Sequence, residues 1–490
     1  MTAASSVNTL KSACVARADP GSGGVLTLDS YKHDYKYPTT DQTRVNSLAV
    51  GLQQAGAFAA CLVAWPISDK LGRRKALMIS SFVFCVGALI ETSNTHSLAA
   101  FYVGRVIAGL GLGAASTVTP VYISEMAPKE LRARIGSFFQ FFFTIGIFTS
   151  YWIDYGMDEV YGNALISRQW QIPIGLQLVP AGLLGFGTIT LKESVRWLTK
   201  KGRHDEAWDS LRWIRADGSR ATRDEMEEIR EGAAREALVT ADFHIKELIQ
   251  PTNLPLTATA FLVFLAQQAT GATAFAYFGP QYFKLLVGNS THTALLLTAI
   301  FGAIKVAACG FFVWFLAERI TRRHVLIYGA FIMAACQITT AAVVKAKPPP
   351  EDGGITSAGI ATVALIYLFV IMYNLSWGPL PWPYVSEIFP ARIRDPGTAV
   401  GVASQWLFNL VFSLTTPYMI ENLGWGTFLL WGAFDVVIGT AAALWLNETS
   451  GKSLEEIAKR RIRGGGDRES PSDGRFEGGM TGDVDVAPVK

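Results

Sequence analysis

Apolar residues in this chain come in long, nearly uninterrupted blocks, not in the stripes of an amphipathic helix or the alternation of a strand. A helix needs about 20 mostly apolar residues to cross a bilayer. Eleven runs approach that length: 45–66, 76–92, 98–123, 133–157, 170–191, 254–283, 291–317, 324–344, 355–385, 396–421 and 424–446. Most of the polar stretches between them are short. Two exceptions divide the chain. Residues 192–253 are charged, and the pattern over Ala221–Leu238 predicts surface helices. The tail from Asn447 onward is polar, and its end (RGGGDRESPSDGRFEGG) has the composition that stays disordered. The pattern predicts an all-α integral membrane fold. Its parts are an N-terminal segment (1–44), a helical bundle (45–191), a cytoplasmic linker (192–253), a second bundle (254–446) and a cytoplasmic tail (447–490).

Composition agrees. Half of the residues are hydrophobic and 17% are charged, against about 25% in soluble domains. A net charge of +3 gives no footing for nucleic acid. Cys14, Cys61, Cys85, Cys309 and Cys336 lie far apart, with neither disulfide nor metal spacing. The six histidines are scattered and no nucleophile motif is present, so no enzyme and no cofactor is expected. Residues 1–24 lack the apolar core of a cleavable signal peptide.

Charge sets the orientation. One set of loops carries twelve Lys and Arg, among them Lys70, Arg73, Arg74, Arg132, Arg134, Arg322, Arg323 and Arg392, while the alternate set carries four. The basic side faces the cytoplasm. Asn289-Ser290-Thr291, a formal glycosylation sequon in a short loop, then faces outward.

The chain also repeats itself. Asp69-Lys-Leu-Gly-Arg-Arg74 is echoed by Glu318-Arg-Ile-Thr-Arg-Arg323, Ser124-Glu-Met-Ala-Pro128 by Ser386-Glu-Ile-Phe-Pro390, and Leu191-Lys-Glu-Ser194 by Leu446-Asn-Glu-Thr449. The offsets are 249, 262 and 255 residues, in the same order. Two similar halves are implied, with a site at the midplane between them.

These motifs, with Arg105-Val-Ile-Ala-Gly-Leu-Gly-Leu-Gly113, Pro120-Val-Tyr-Ile-Ser-Glu125, Gln267-Gln268, Trp377-Gly-Pro-Leu-Pro-Trp382 and Glu448-Thr-Ser-Gly-Lys-Ser-Leu-Glu-Glu456, resemble the sugar porter branch of the major facilitator superfamily over residues 45–456. Within it, Ile300-Phe-Gly-Ala-Ile-Lys305 resembles the fungal quinate permease group. The resemblance implies a major facilitator fold of two six-helix halves, alternating-access transport, and a plasma-membrane location. It implies a small polyhydroxylated substrate, and it leaves proton coupling open.

Against that plan one helix is wanting. Duplication places the first helix over residues 5–33, a stretch holding Lys11, Arg17, Asp19, Pro20, Asp29 and Lys32. A charge near the bilayer centre costs about 2.5–3.5 kcal/mol, so the first helix is expected to be missing or degenerate, leaving about eleven spans. Only Gly23–Leu28 resembles the outer end of the family's first helix.

Intramembrane charges are functional hypotheses by default. Arg105 is one: the resemblance implies proton coupling through a first-helix aspartate, for which Asp19 is a loose candidate, and the bland alternative is a bracing role. Lys305 is another. A midplane ammonium favours a substrate carboxylate; the alternative is a pair with Asp435. The resemblance further implies that Gln140, Gln267, Gln268, Trp382 and Asn409 contact hydroxyls or the ring face, with Thr273 replacing the usual asparagine. Amides suit hydroxyl pairs because they donate and accept; helix–helix bonding is their alternative role. Asp69, Arg73, Arg74, Glu125, Arg132, Arg134, Glu193 and Arg196 in the first half are expected to form gating ion pairs. So are Glu318, Arg322, Arg323, Glu387, Arg392 and Glu448 in the second. The rival readings are a transporter-like nutrient sensor, disfavoured by a tail of about forty residues, and a non-functional truncated transporter.

Overall fold

The computed structural model describes residues 21–127, 132–162, 164–240, 243–288, 290–316, 320–350, 356–446 and 448. Two short helices come first, α1 (Gly21–Val25) and α2 (Asp29–Tyr35). The first bundle follows with α3 (Gln42–Leu71), α4 (Arg73–Thr92), α5 (Leu98–Met126), α6 (Arg132–Tyr161) and the consecutive pair α7 (Arg168–Leu176) and α8 (Leu178–Thr190). The linker holds α9 (Val195–Lys200), α10 (His204–Arg215) and α11 (Arg220–Thr240). The second bundle holds α12 (Leu254–Ala269), α13 (Ala272–Val287), α14 (Thr291–Phe311), α15 (Arg322–Ala346), α16 (Ser357–Leu375), α17 (Pro381–Ile388), α18 (Arg394–Leu423) and α19 (Gly426–Trp445).

Ten helical stretches among the described residues are long and apolar enough to cross a membrane. They match the predicted runs except 133–157, which is the 30-residue α6. Large apolar side chains such as Phe82, Phe186 and Leu444 stand more than two-thirds exposed, which suits a lipid-facing surface and not a soluble one. Side-chain oxygens cap three helix starts: Ser194 accepts from Trp197 N, Ser290 from Thr293 N and Thr356 from Gly359 N.

Two runs that read as single spans are broken. The first breaks after Ala269, where Gly271 takes φ +80 before α13 begins. A side chain at Gly271 would strike the Trp431 ring of α19. The second, 355–385, ends as α16 at Leu375, and its remainder turns and restarts as α17 at Pro381. In the first-helix slot, residues 21–35 supply α1 and α2; α1 packs on α6, α7 and α13. Its upstream part, including Asp19, lies outside the described residues, as does Asn289 of the sequon.

The halves meet along two seams, α3 with α18 and α6 with α14. Ser47 Oγ donates to Leu414 O (2.6 Å) across the first, and Tyr151 Oη donates to the Ala276 carbonyl, linking α6 to α13 beside the second. At the outer end α1 closes on α13 so tightly that a Cβ at Gly23 would overlap the Tyr277 carbonyl. On the inner side, Trp197, Leu198, Ala207, Leu211 and Met226 of the linker helices pack on α3, α4 and α5. The far end of the linker reaches the second half, where Glu247 accepts from Arg392 Nε and Nη2 at 2.8 and 2.9 Å.

Candidate substrate site and buried charges

Lys305 lies in the second half of α14, near the middle of the Thr291–Leu316 span, with 4% of its surface exposed. Among the described residues it makes no ion pair or hydrogen bond; its Nζ stands 5.9 Å from the Phe143 ring centre. The anticipated alternative, a pair with Asp435, is not formed. Asp435 belongs to α19, which packs on α15 and not on α14, and neither of its oxygens has a hydrogen-bond partner. Gly302, one turn from Lys305, abuts Tyr151 and Phe148 of α6. Gln140, half-buried, sits one turn from Phe143 on the same face of α6. Lys305 and Gln140 therefore share the α6–α14 seam.

The other predicted contacts gather around the broken spans. The adjacent glutamines at the end of α12 are both buried but differ in role. Gln267 Nε2 donates to the carbonyls of Trp377 (2.9 Å) and Gly378 (3.0 Å), which the α16–α17 break leaves without helical partners. Its Oε1 lies 3.4 Å from Gln405 Nε2. Gln268 Oε1 is buried with no partner. Thr273 lies against the Tyr373 hydroxyl. Trp382, half-buried, stands edge-on to Phe264 at 5.0 Å. Asn409 Nδ2 reaches Tyr277 Oη at 3.5 Å, and Ser413 donates to Asn409 Oδ1 at 3.3 Å.

Sequence reasoning overlooked Glu91 as a site residue. It is fully buried at the outer end of α4, 3.4 Å from the Nε of the equally buried Arg105 on α5. Arg105 Nη1 also donates to Gln53 Oε1 on α3 (3.0 Å), and its guanidinium rests 4.9 Å from the Phe101 ring centre. A carboxylate inside an apolar block was the available signal. It stands one residue from the end of the run 76–92. Asp154, 1% exposed on α6 against Gly24, was missed as well, three residues from the end of its run 133–157.

At the cytoplasmic side the two halves repeat one arrangement. Arg73 pairs with Glu125 (Nε to Oε2, 3.1 Å) as Arg322 pairs with Glu387. The backbone N–H of Arg74 donates to Glu193 Oε1 (3.1 Å), as those of Arg322 and Arg323 donate to Glu448 (3.2 and 2.9 Å). A carboxylate at a helix start offsets unpaired N–H groups and the helix dipole. The Arg74 and Arg323 Nη2 groups then donate to Ile189 O and Ala443 O, both at 2.7 Å. Asp69 lies near Arg73, Lys200 and Lys201. Two expected members stand apart. Arg392 reaches to Glu247 of the linker, and Arg196 projects from α9 into solvent without an ion pair among the described residues. Glu318 and the side chains of Arg132 and Arg134 lie outside the described residues.

The sequence model for the family described as "Sugar (and other) transporter" matches residues 21–460. The quinate permease of Emericella nidulans is 33% identical over 449 residues, which cover 89% of this chain and 83% of that protein. A probable quinate permease of Aspergillus fumigatus is 33% identical over 454 residues, 89% and 82% of the two chains. Among solved structures, the proton:xylose symporter XylE bound to 6-bromo-6-deoxy-D-glucose superposes with a TM-score of 0.75 at 24% identity, over 93% of this chain and 98% of that one. The inward open conformation of XylE from E. coli gives 0.76 at 22% identity with the same coverage.

Proposed function

The chain belongs to the sugar (and other) transporter family and is a multi-pass membrane transporter of the major facilitator type, and from that premise we propose that its cargo is a polyhydroxylated ring bearing a carboxylate. Lys305 carries this reading. An ammonium held among apolar groups, with no protein carboxylate beside it, is stabilised by an anion that arrives with the substrate. A quinate-like hydroxy acid meets that need, as does a sugar acid. Its hydroxyls would find Gln268 and Asn409, and its ring face would find Trp382. Similarity to quinate permeases points the same way.

The halves rock about the α3–α18 and α6–α14 seams in alternating access, a reading supported by the close approach of α1 to α13 at the outer end. The second ligand we assign is the proton, through the buried charges around Arg105. A plasma-membrane location fits uptake of such a nutrient.

The test is uptake of labelled quinate in cells lacking their own transporter. Lys305→Ala is expected to lower uptake at least about 30-fold, the equivalent of about 2 kcal/mol for an unpaired buried charge partner, at undiminished surface expression. Normal uptake by that variant sinks the anionic reading. Absence of uptake by the unaltered protein favours the sensor reading instead.

A further inference from the structure

Glu91 and Arg105 form a salt bridge of fully buried partners 3.4 Å apart, on adjacent antiparallel spans near their outer ends. Isolating two charges from water is costly, and the Coulomb attraction repays that cost only where the geometry is good and the remaining polar atoms are hydrogen-bonded. Bracing alone is poorly served by such a pair, since apolar side chains of like volume brace as well. A carboxylate that can exchange charge with its surroundings gives the pair a use.

Two further observations single it out. Arg105 is held on its other side by Gln53 of α3, the helix whose far face makes the seam with α18 of the second half. The pair is thus mechanically joined to a surface along which the halves move. Its lid is α2: Tyr31 and Tyr35 pack on Phe101 at 5.5 and 5.7 Å, beside the guanidinium. Both tyrosine hydroxyls are buried and lack hydrogen-bond partners among the described residues. That lid follows directly on α1, which closes against Tyr277 of the second half. Opening the outer side therefore disturbs the segment that keeps external water from Glu91.

We propose that Glu91 is the carboxylate at which this transporter takes up and releases its coupling proton, and that Arg105 is the counter-charge freed when Glu91 is neutralised. The proposal rests on the transport reading above. The step balances simply: a proton from external water adds to a Glu91 oxygen, the pair with Arg105 loosens, and the same proton leaves to internal water. Among the described residues, these charged and titratable groups lie near Glu91. Arg105 faces Glu91 from α5, and Tyr31 and Tyr35 approach from α2. From α3 the neighbour is the Gln53 amide, α7 brings Trp170 with Arg168 at its outer end, and α8 contributes no ionisable side chain. Farther outward, Asp34 accepts from Trp170 Nε1 (2.7 Å), with His33 and His96 beside it.

The test uses the full chain in sealed proteoliposomes with labelled quinate and an imposed acid-outside gradient. One proton per substrate predicts about tenfold accumulation per pH unit, since each unit is worth a factor of ten. Glu91→Gln is expected to bring the accumulation ratio to about one at every gradient. Accumulation equal to the unaltered protein's overturns the proposal, as does an unaltered protein that ignores the gradient. If the glutamine variant does not fold, Glu91→Asp replaces it, with a shifted pH midpoint of uptake expected and an unmoved midpoint overturning the idea. Should the unaltered protein refuse quinate, the same gradient is run with a neutral pentose. Acid-driven accumulation of the pentose then sinks the Lys305 reading and leaves Glu91 standing, while movement of neither solute overturns both.

Discussion

Two neighbouring glutamines divide structure from recognition. Gln267 spends its amide nitrogen on two carbonyls freed by a helix break, while Gln268 keeps a buried, unanswered oxygen. Truncating Gln267 orphans two buried acceptors, each costing about 1–3 kcal/mol, so Gln267→Ala is expected to lower thermal stability and uptake together. Gln268→Ala is expected to leave the melting temperature within a few degrees and to raise KM for the substrate about tenfold, the worth of one polar contact. Thermal melts beside uptake kinetics separate the two, and equal loss of stability in both contradicts the division. Asp435 offers a second residue-scale check. Its carboxyl is sealed without a hydrogen-bond partner between α19 and α15. Asp435→Asn keeps the shape and carries no charge to desolvate, so the melting temperature is expected to hold or rise.

Helices are set by what small residues permit. Gly109 and Gly113 let α5 ride so close to α3 that an added Cβ would stand 2.1 Å from Gln53 O and 2.2 Å from Ala57 O. These obstacles are backbone atoms and cannot rotate away. Gly109→Ala should therefore force the helices apart at a cost of about 1–3 kcal/mol, read as a lower melting temperature. It should also weaken proton-driven accumulation, because Gln53 is the residue that holds Arg105. At this scale the sequence was legible where hydropathy alone decides. The long apolar runs gave the spans, and the repeated acids and arginines gave the inner ends of the helices. The breaks were not legible. A twenty-residue hydropathy window averages over Gly271, whose left-handed backbone favours glycine and where the Trp431 ring, 160 residues away in the chain, leaves no room for a side chain. The pairing of Glu91 with Arg105 was hidden for a like reason. Fourteen residues part them, and only the antiparallel return of α5 along α4 brings them together.

In the proposed rocking of the two halves, the linker grips both. The linker helices are packed into the first half by Trp197 and Leu211, whereas its last turn is held by the ionic contact of Glu247 with Arg392 of the second. The hydrogen bonds from Arg392 hold the Glu247 carboxyl down at about 2, below the ordinary carboxylate range. A depressed carboxylate stabilises above its unfolded value and loses that contribution only as pH falls through the folded one. Between pH 4 and 8 this contact is therefore constant, and any pH response of transport in that window must arise elsewhere. The repeated Arg73–Glu125 and Arg322–Glu387 pairs each lie within one half, so they stiffen the halves, while ionic contacts between the halves, such as Glu247 with Arg392 through the linker and Glu159 with His292, must adapt as they rock. Reversing either charge alone, Glu247→Arg or Arg392→Glu, is expected to change the turnover rate while leaving its pH profile in place. Reversing both should restore the rate. Initial uptake rates over pH 4 to 8 check this. A pH profile that shifts in the single variants would move the proton response from the outer end of α4 to the cytoplasmic linker.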